Sequence, residues 1–390
     1  MPYEGPGEHS SYDCSVARSV DEIGREVVGR CLALGFASAG VCEALPIEHA
    51  GAFRDWLDAG KHGSMDWITE HLEHRLDPRG LLRGCRGMIV VGDVYASRGE
   101  ADGSPGTGGG GPEGVGAVGR VARYARGRDY HRVVKDRLRR LTRGLAADYP
   151  GERFRSMVDV MPIHEREAAR RAGVGWVGKH TLVIHPRLGS WMVLGCVLTT
   201  MELRSPGGVR DHCGTCTRCI DACPTGAITP YSVDAGRCIS YLTIERRGEI
   251  PEGFHAAMGE WVFGCDVCQE VCPHNSPRDA DPWPVRPEYR RGAGAIPLLD
   301  VLGWDPARFD REFIGTAVRR VSVSMLKRNA LIAGTNLVLR GASEGAGVSR
   351  SVWAAGVGAI AGDDAEDPMV RATARSCLAR LGPAGQGGGA

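Results

Sequence analysis

Cys213-Gly-Thr-Cys216-Thr-Arg-Cys219-Ile-Asp-Ala-Cys223-Pro224 sets four thiols within eleven residues in a C-x2-C-x2-C-x3-C-P run. A second set follows, with Cys238 ahead of Cys265-Asp-Val-Cys268-Gln-Glu-Val-Cys272-Pro273. Three thiolates two residues apart can wrap one corner of an iron–sulfur cube, and the fourth, beside proline, turns away to ligate another cube. The pattern assigns one [4Fe–4S] cluster to Cys213, Cys216, Cys219 and Cys272, and a second to Cys223, Cys238, Cys265 and Cys268. Zinc is the competing occupant, but it prefers two well separated CxxC pairs in a tetrahedron. Around these cysteines, from Arg204 to about Arg291, the chain is rich in Pro and Gly with little periodicity, as expected where a metal cluster replaces a hydrophobic core.

The rest of the 390 residues is too long for one ordinary core and predicts two or three domains. The hydrophobic fraction of 43% and charged fraction of 24% are those of a soluble globular protein. No apolar run approaches the roughly 20 residues of a membrane helix. The opening MPYEGPGEHSSYDCS has neither a basic region nor an apolar stretch, so a cytoplasmic location is expected. That compartment keeps thiols reduced, which argues against a disulfide framework for the fourteen cysteines. The six outside the cluster region (Cys14, Cys31, Cys42, Cys85, Cys196 and Cys377) read as small buried hydrophobes. Net charge is +1, yet Arg120 to Arg143 holds ten Lys/Arg against Asp129 and Asp136. Such a run is either a phosphate-binding face or a solvated helix face.

Outward from the cysteines, Ser19-Val-Asp-Glu22 reads as a capping box opening a helix to about Leu34, stopped by Gly35. A strand at 36–41, a helix near 47–59 and an apolar strand from Met88 follow. In the tract 101–119, nine of nineteen residues are Gly, which predicts a flexible loop. A basic helix at about 129–147, a strand at 153–160, a charged helix at 164–172 and strands at 181–185 and 191–200 complete an alternating α/β half. Beyond the clusters, apolar residues at helical spacing in 318–339, 351–362 and 367–381 predict two or three paired helices of a short repeat array. Expected boundaries are 15–203, 204–291 and 292–382, with a disordered tail at 383–390.

Clusters move single electrons and activate no substrate, so some 200 residues before them and over 100 after imply a reaction centre that they feed, built on a further cofactor. Gly173-Val-Gly-Trp-Val-Gly178 matches GxGxxG, but a charged helix precedes it and a strand follows, the reverse of a dinucleotide site. Those glycines instead end a helix and admit a close backbone approach. Asp129-Tyr-His131 has the Asp-x-His start of a cobalamin-ligating motif without its glycine, Val134 standing there, so His131 is expected at the surface or in packing. Asp159 stands at the end of an apolar strand that Pro162 stops. Desolvation among Val158, Val160 and Met161 would raise its pKa and make it a proton donor. A helix-capping carboxylate is an equal reading.

The stretches 75–91, 124–141, 157–184 and 189–200, then CGTCTRCIDACPTGAI, RCISYLTIE, IPEGF, FGCDVCQEVCPHN and LKRNALIAG, together resemble the epoxyqueuosine reductases. These are cobalamin-dependent iron–sulfur enzymes that complete queuosine at the wobble position of tRNA. The resemblance runs in order from about Val20 to Leu381. It implies a nitroreductase-like α/β domain binding cobalamin, a bacterial-ferredoxin-like domain with two [4Fe–4S] clusters, and a HEAT-like helical domain that grips tRNA. It puts the proton-donating aspartate on Asp159. Around the corrin it places Arg75, Tyr95, Asp159, Trp176, Lys179, His180 and Ser190. It turns the run from Arg120 to Arg143, with Arg319, Arg320, Lys327 and Arg328, into a phosphate track for the anticodon stem-loop. Electrons would come from an external low-potential donor to a monomeric, membrane-free protein. The chain departs from the family at Val160, Met161, His180, Cys196 and Thr200, most of them expected near the cofactor or substrate face. Those departures keep in view a cobalamin–iron–sulfur reductase of another compound, such as an organohalide, or a two-cluster electron carrier.

Overall fold

The computed structural model describes residues 18–97, 117–159, 161–275, 283–290, 294–341 and 348–382. Val160, Cys14, most of the Gly-rich tract and the expected tail 383–390 lie outside them. The first part holds α1 (Val20–Ala33), β1 (Ser38–Glu43), α2 (Ala50–Asp58), α3 (Leu72–Leu76), β2 (Gly87–Val94), β3 (Val118–Val121), α4 (Tyr130–Asp148) and β4 (Phe154–Met157). It continues through α5 (Glu165–Arg171), the short pair β5 (Trp176–Val177) and β6 (Val183–Ile184), and β7 (Met192–Thr199). The cysteine segment carries α6 (Arg218–Asp221), β8 (Ile228–Thr229), β9 (Ser232–Val233), α7 (Ile239–Ile244), β10 (Trp261–Phe263) and α8 (Val267–Glu270). Last come β11 (Ala295–Pro297), α9 (Leu298–Leu302), α10 (Pro306–Glu312), α11 (Val323–Leu339), α12 (Arg350–Gly362) and α13 (Pro368–Leu381).

The capping box forms as read. The Ser19 hydroxyl accepts the Glu22 N–H at 3.3 Å, and the Glu22 carboxylate accepts the Ser19 N–H at 2.8 Å. Four strands make one sheet in the order β1-β2-β7-β4, antiparallel at every pairing, with Ile89 opposite both Val41 and Val197, and Met157 opposite Cys196. Successive side chains alternate across such a sheet. Ile89, Val91 and Val197 therefore meet Val27 of α1 and Val134, Leu138 and Leu145 of α4. Met88, Val90, Cys196 and Leu198 meet Ala168 and Ala169 of α5 on the other face. The result is three layers, with the helices of the α/β half on both faces of the sheet.

A second sheet joins all parts of the chain. Its central strand β3 pairs in parallel with β10 and antiparallel with β11. Ala117 to Gly119, expected to end the Gly-rich loop, are instead buried, and Val118 and Gly119 open this central strand. The reason is steric: a Cβ on Gly119 would stand 2.4 Å from Val262, so the missing side chain admits β10 rather than loosening the chain. One core then runs from Val121 through Leu242, Val262 and Phe263 to Leu298, Leu331 and Trp353, across the boundaries expected at 203 and 291.

α11 is buried along nearly its whole length and uses polar side chains to hold the cysteine segment. Arg328, fully buried, donates to the carbonyls of Leu242 at 2.9 Å, Arg246 at 2.7 Å and Gly248. Asn329 donates to Thr243 O at 2.9 Å and Val262 O at 2.8 Å. Lys327 pairs with Glu366 at 2.6 Å. Lys327 and Arg328, expected on a phosphate track, are thus committed to the interior, Lys327 by the Glu366 carboxylate and Arg328 by backbone carbonyls that need a donor. Arg319 and Arg320 are also engaged, by Asp310 and Glu245.

A buried ion pair ties α4 to the main sheet. Arg137 and Asp93 are paired at 5% and 1% exposure, and Tyr289 donates to Asp93 Oδ2 at 2.6 Å. Arg137 also lies 4.2 Å over the Phe36 ring. Removing one partner of such a pair leaves an uncompensated buried charge, at a cost of about 3–5 kcal/mol. Asp93→Ala is expected to destabilise the protein by that amount in denaturant unfolding. A change below about 1 kcal/mol, the range of an exposed pair, would refute the anchoring role.

Candidate functional site

The two runs of cysteines fold onto each other through the short helices α6 and α8, which carry Cys219 and Cys268. One recess is lined by Cys213, Cys216, Cys219 and Cys272, with Lys179, His180 and His274 at its edge. Cys272 feels Cys213, Cys219 and Cys216 as neighbours, and burial first, then these neighbours, push its thiol up to about 11. Cys265 and Cys268 instead feel Cys238, and Cys265 also Cys223. The first four thiols thus share one recess, while Cys268 is within charge range of Cys265 and Cys238 and also of Cys219 from the first run. Desolvation raises most of these thiols, so their ionisation is coupled to metal binding.

Asp159 stands just beyond β4, which ends at Met157, earlier than the expected strand to residue 160. The reason is its backbone: φ is +54°, a left-handed conformation that cannot continue a strand. Its N–H donates to Glu165 Oε1 at 2.8 Å, at the first turn of α5. Its carboxylate, 57% exposed, accepts the Tyr130 hydroxyl at 2.6 Å and faces His131 Nε2 at 3.1 Å. His131 Nδ1 in turn meets Asp129 Oδ1 at 2.7 Å. Asp129 caps α4, accepting the His131 N–H at 3.0 Å, so the helix start delivers both Tyr130 and His131 to Asp159.

These interactions reverse the expected pKa of Asp159. Desolvation raises it, as its sequence neighbours imply, but the bonds from His131 and Tyr130 and the charges of His131 and Arg166 outweigh that and leave it below the usual carboxylate range. Desolvation lowers His131, but the carboxylates of Asp129 and Asp159 overcome this and hold it up at about 9. Glu165 is raised to about 8 by burial and by the charge of Asp159. Arg166 lies within charge range of Asp159 and Glu165 on one side and of Cys268 and Cys238 on the other. The helix-capping alternative for Asp159 does not occur, since no side chain caps α5.

Sequence reasoning passes over Tyr130, His131, Glu165 and Arg166. The signal for the first two is Asp129-Tyr-His at the start of a basic helix, which as a metal motif is broken. On α4 the exposed cations Arg132, Lys135, Arg139, Arg140 and Arg143 form a stripe leading away from His131. Among the departures, Cys196 is fully buried against α5. Thr200 hydrogen-bonds the Arg153 N–H at 2.9 Å, at the end of β4 away from Asp159. Thr200 is therefore a strand-end residue and not part of the face expected for it.

The residues expected around a corrin divide. Arg75 sits 5.3 Å over the Trp67 ring with its buried Nε unpartnered among the described residues, an open donor suited to a ligand oxygen. Tyr95 and Ser190 are interior. Gln269 donates to the Tyr95 hydroxyl at 3.1 Å and accepts from Ser190 Oγ at 2.9 Å, and Asn275 donates to Ser190 Oγ at 2.9 Å. Trp176, Lys179 and His180 lie beside the first thiol group. The glycine run around Trp176 behaves as read: Gly173 follows α5 with φ +74°, and a Cβ on Gly175 would meet the Ile184 carbonyl at 2.4 Å.

Residues 212–275 match the family model of the 4Fe-4S double cluster binding domain, and residues 75–160 match that of epoxyqueuosine reductase QueG, DUF1730. The chain carries two [4Fe–4S] clusters. The epoxyqueuosine reductase of Synechococcus sp. (strain CC9605) is 42% identical over 288 residues, 72% of this chain and 84% of that protein. That of Escherichia coli (strain K12) is 36% identical over 307 residues, 77% and 78%. A crystal structure of epoxyqueuosine reductase with an epoxyqueuosine-modified tRNA-Tyr stem loop superposes with a TM-score of 0.78 at 26% identity, covering 94% of this chain and 92% of that one. The Bacillus subtilis enzyme, seen with its catalytic aspartate loop swung out of the active site, gives 0.80 at 25% identity with the same coverage. With relatives 42% and 36% identical over 72% and 77% of its length, the chain belongs to the epoxyqueuosine reductase family.

Proposed function

We propose that this protein reduces epoxyqueuosine to queuosine in tRNA, with Asp159 as the acid at the reacting epoxide. The observation that carries the reading is the Tyr130–His131–Asp159 constellation, open to solvent, with Arg166 linking it to the second thiol group. Converting an epoxide to an alkene consumes two electrons and two protons and releases water. His131, at about 9, and Glu165, at about 8, both retain a proton at neutral pH. The Asp159 carboxylate faces His131 Nε2, so a proton lost by the carboxyl can be replaced from the imidazolium, while Glu165 accepts the Asp159 backbone N–H. Covering the recess with an anticodon loop removes water from the carboxyl, which favours the acid form and passes the shared proton from His131 toward Asp159.

Cobalamin, when bound, supplies a low-potential cobalt centre for opening the epoxide, and Arg75 with its open donor is the residue best placed to hold it. Cys213, Cys216, Cys219 and Cys272 ligate one cluster and Cys223, Cys238, Cys265 and Cys268 the other, an allocation supported by the spacing and by the recess that the first four share. The helices α11 to α13, each packed on the others, are read as a HEAT-like unit. The cationic stripe of α4 would meet the phosphates of the anticodon stem-loop, and an external low-potential carrier would provide electrons.

Anaerobic reconstitution with iron, sulfide and cobalamin, followed by mass analysis of wobble nucleosides, tests the reading. The wild type should convert epoxyqueuosine in tRNA to queuosine. Asp159→Asn should lose at least about a hundredfold, the lower range for a general acid, while binding the same tRNA. Near-normal turnover by the variant would end the assigned role. Replacing Arg132, Lys135, Arg139 and Arg143 by Ala should weaken tRNA binding and flatten the log–log salt dependence by about one unit for each phosphate no longer neutralised. An unchanged salt slope would place the tRNA elsewhere.

The raised pKa of His131 also sets a stability window. A cation whose folded value exceeds its unfolded 6.5 stabilises fully below that pH and loses the effect as pH rises through about 9. The melting temperature of wild type should therefore exceed that of His131→Gln most at about pH 6, with the gap shrinking from about pH 6.5 and closed above about pH 9. A gap independent of pH would contradict the ion-pair assignment.

A further inference from the structure

Two buried donors beside the first thiol group have nothing to bond. Trp176 is 2% exposed and His180 3% exposed, yet Trp176 Nε1 and His180 Nε2 lack a partner among the described residues. His180 Nδ1 accepts the Leu182 N–H at 3.2 Å, so the neutral ring carries its proton on Nε2, and His180 lines the recess of Cys213, Cys216, Cys219 and Cys272. The Trp176 indole is held edge-on between the rings of His212 at 5.1 Å and His274 at 4.9 Å, and it packs with Cys272 and Cys213. Between them, Lys179 Nζ donates to the Gly214 carbonyl at 2.6 Å and the Cys216 carbonyl at 3.0 Å, which fastens the turn between the first two cysteines. Stranded donors in a dry site are destabilising. A cubane with its sulfides and thiolates presents the anionic acceptors that these two lack.

We propose that Trp176 and His180 are positioning residues of the cluster held by Cys213, Cys216, Cys219 and Cys272, donating N–H···S hydrogen bonds that raise its reduction potential, with Lys179 clamping its first turn. The resemblance puts all three around the corrin instead. Hydrogen bonds to cluster sulfurs favour the reduced, more negative state, so their loss lowers the potential. His180 stands where the family usually has asparagine, which can also donate. The inference rests on the double-cluster reading.

The test is an EPR-monitored redox titration of the anaerobically reconstituted full chain, with iron and sulfide counted first. Trp176→Phe keeps the packing ring and removes the N–H, and His180→Leu removes the other donor. Each should shift one of the two cluster potentials to more negative values and leave the other in place, and His180→Asn should return the shifted potential toward that of wild type. Pulsed EPR of wild type labelled with indole-15N tryptophan should show a nitrogen coupled to a reduced cluster, which decides the matter even if a variant fails to assemble. Unshifted potentials in assembled variants, or no coupled indole nitrogen, would overturn the assignment. So would reduced corrin uptake with both potentials unmoved. A chain that binds no iron or sulfide would instead defeat the double-cluster reading itself.

Discussion

Two cubanes need eight thiolates brought together from three stretches of chain that share no regular element. The cost of gathering buried thiols is the constraint that shapes the rest of the molecule. Each group ionises with difficulty when desolvated, so the surroundings must hold the cysteines in place while the metal supplies the charge that keeps them there. The β10-β3-β11 sheet binds the cysteine segment to the parts of the chain on either side of it, and Arg328 and Asn329 occupy the carbonyls around α7 and β10. The C-terminal helices thus act first as a wall for the clusters. Any part in gripping RNA is built on that wall.

On the other side, the same scaffold delivers Asp159. Its left-handed backbone is held by Glu165, its carboxylate by Tyr130 and His131, and both sets of partners are presented by helix starts. Arg166 lies within charge range of this carboxylate and of Cys238 and Cys268. On the proposed roles, electron arrival and proton supply are neighbours in space. Reductive loss of an oxygen atom as water requires that arrangement.

Much of this is legible in the chain. The C-x2-C-x2-C-x3-C-P run and its second set mark the double-cluster domain at 212–275, because ligand spacing is local. The capping box at Ser19, the main strands and the basic helix also follow from local pattern. The glycine run at 173–178 follows a helix, as its context implies. What fails is long-range. The sequence neighbours of Asp159 are apolar, but His131, twenty-eight positions away, decides its charge. Lys327 and Arg328 look like surface cations because a helical sequence does not reveal which carbonyls lie across from it. Gly119 looks like loop because composition cannot show that a neighbouring strand needs its space. The family resemblance supplies Asp159 as the acid, yet groups Trp176, Lys179 and His180 with the corrin where the fold sets them beside sulfur ligands.

Everything rests on the eight cysteines holding two iron–sulfur cubes. Quantitative metal and acid-labile sulfide analysis of protein isolated without oxygen tests that most directly. About eight iron and eight sulfide per chain are expected, with loss of roughly half when Cys213 and Cys216 are both replaced by Ser. Stoichiometric zinc without sulfide would contradict the account at its base.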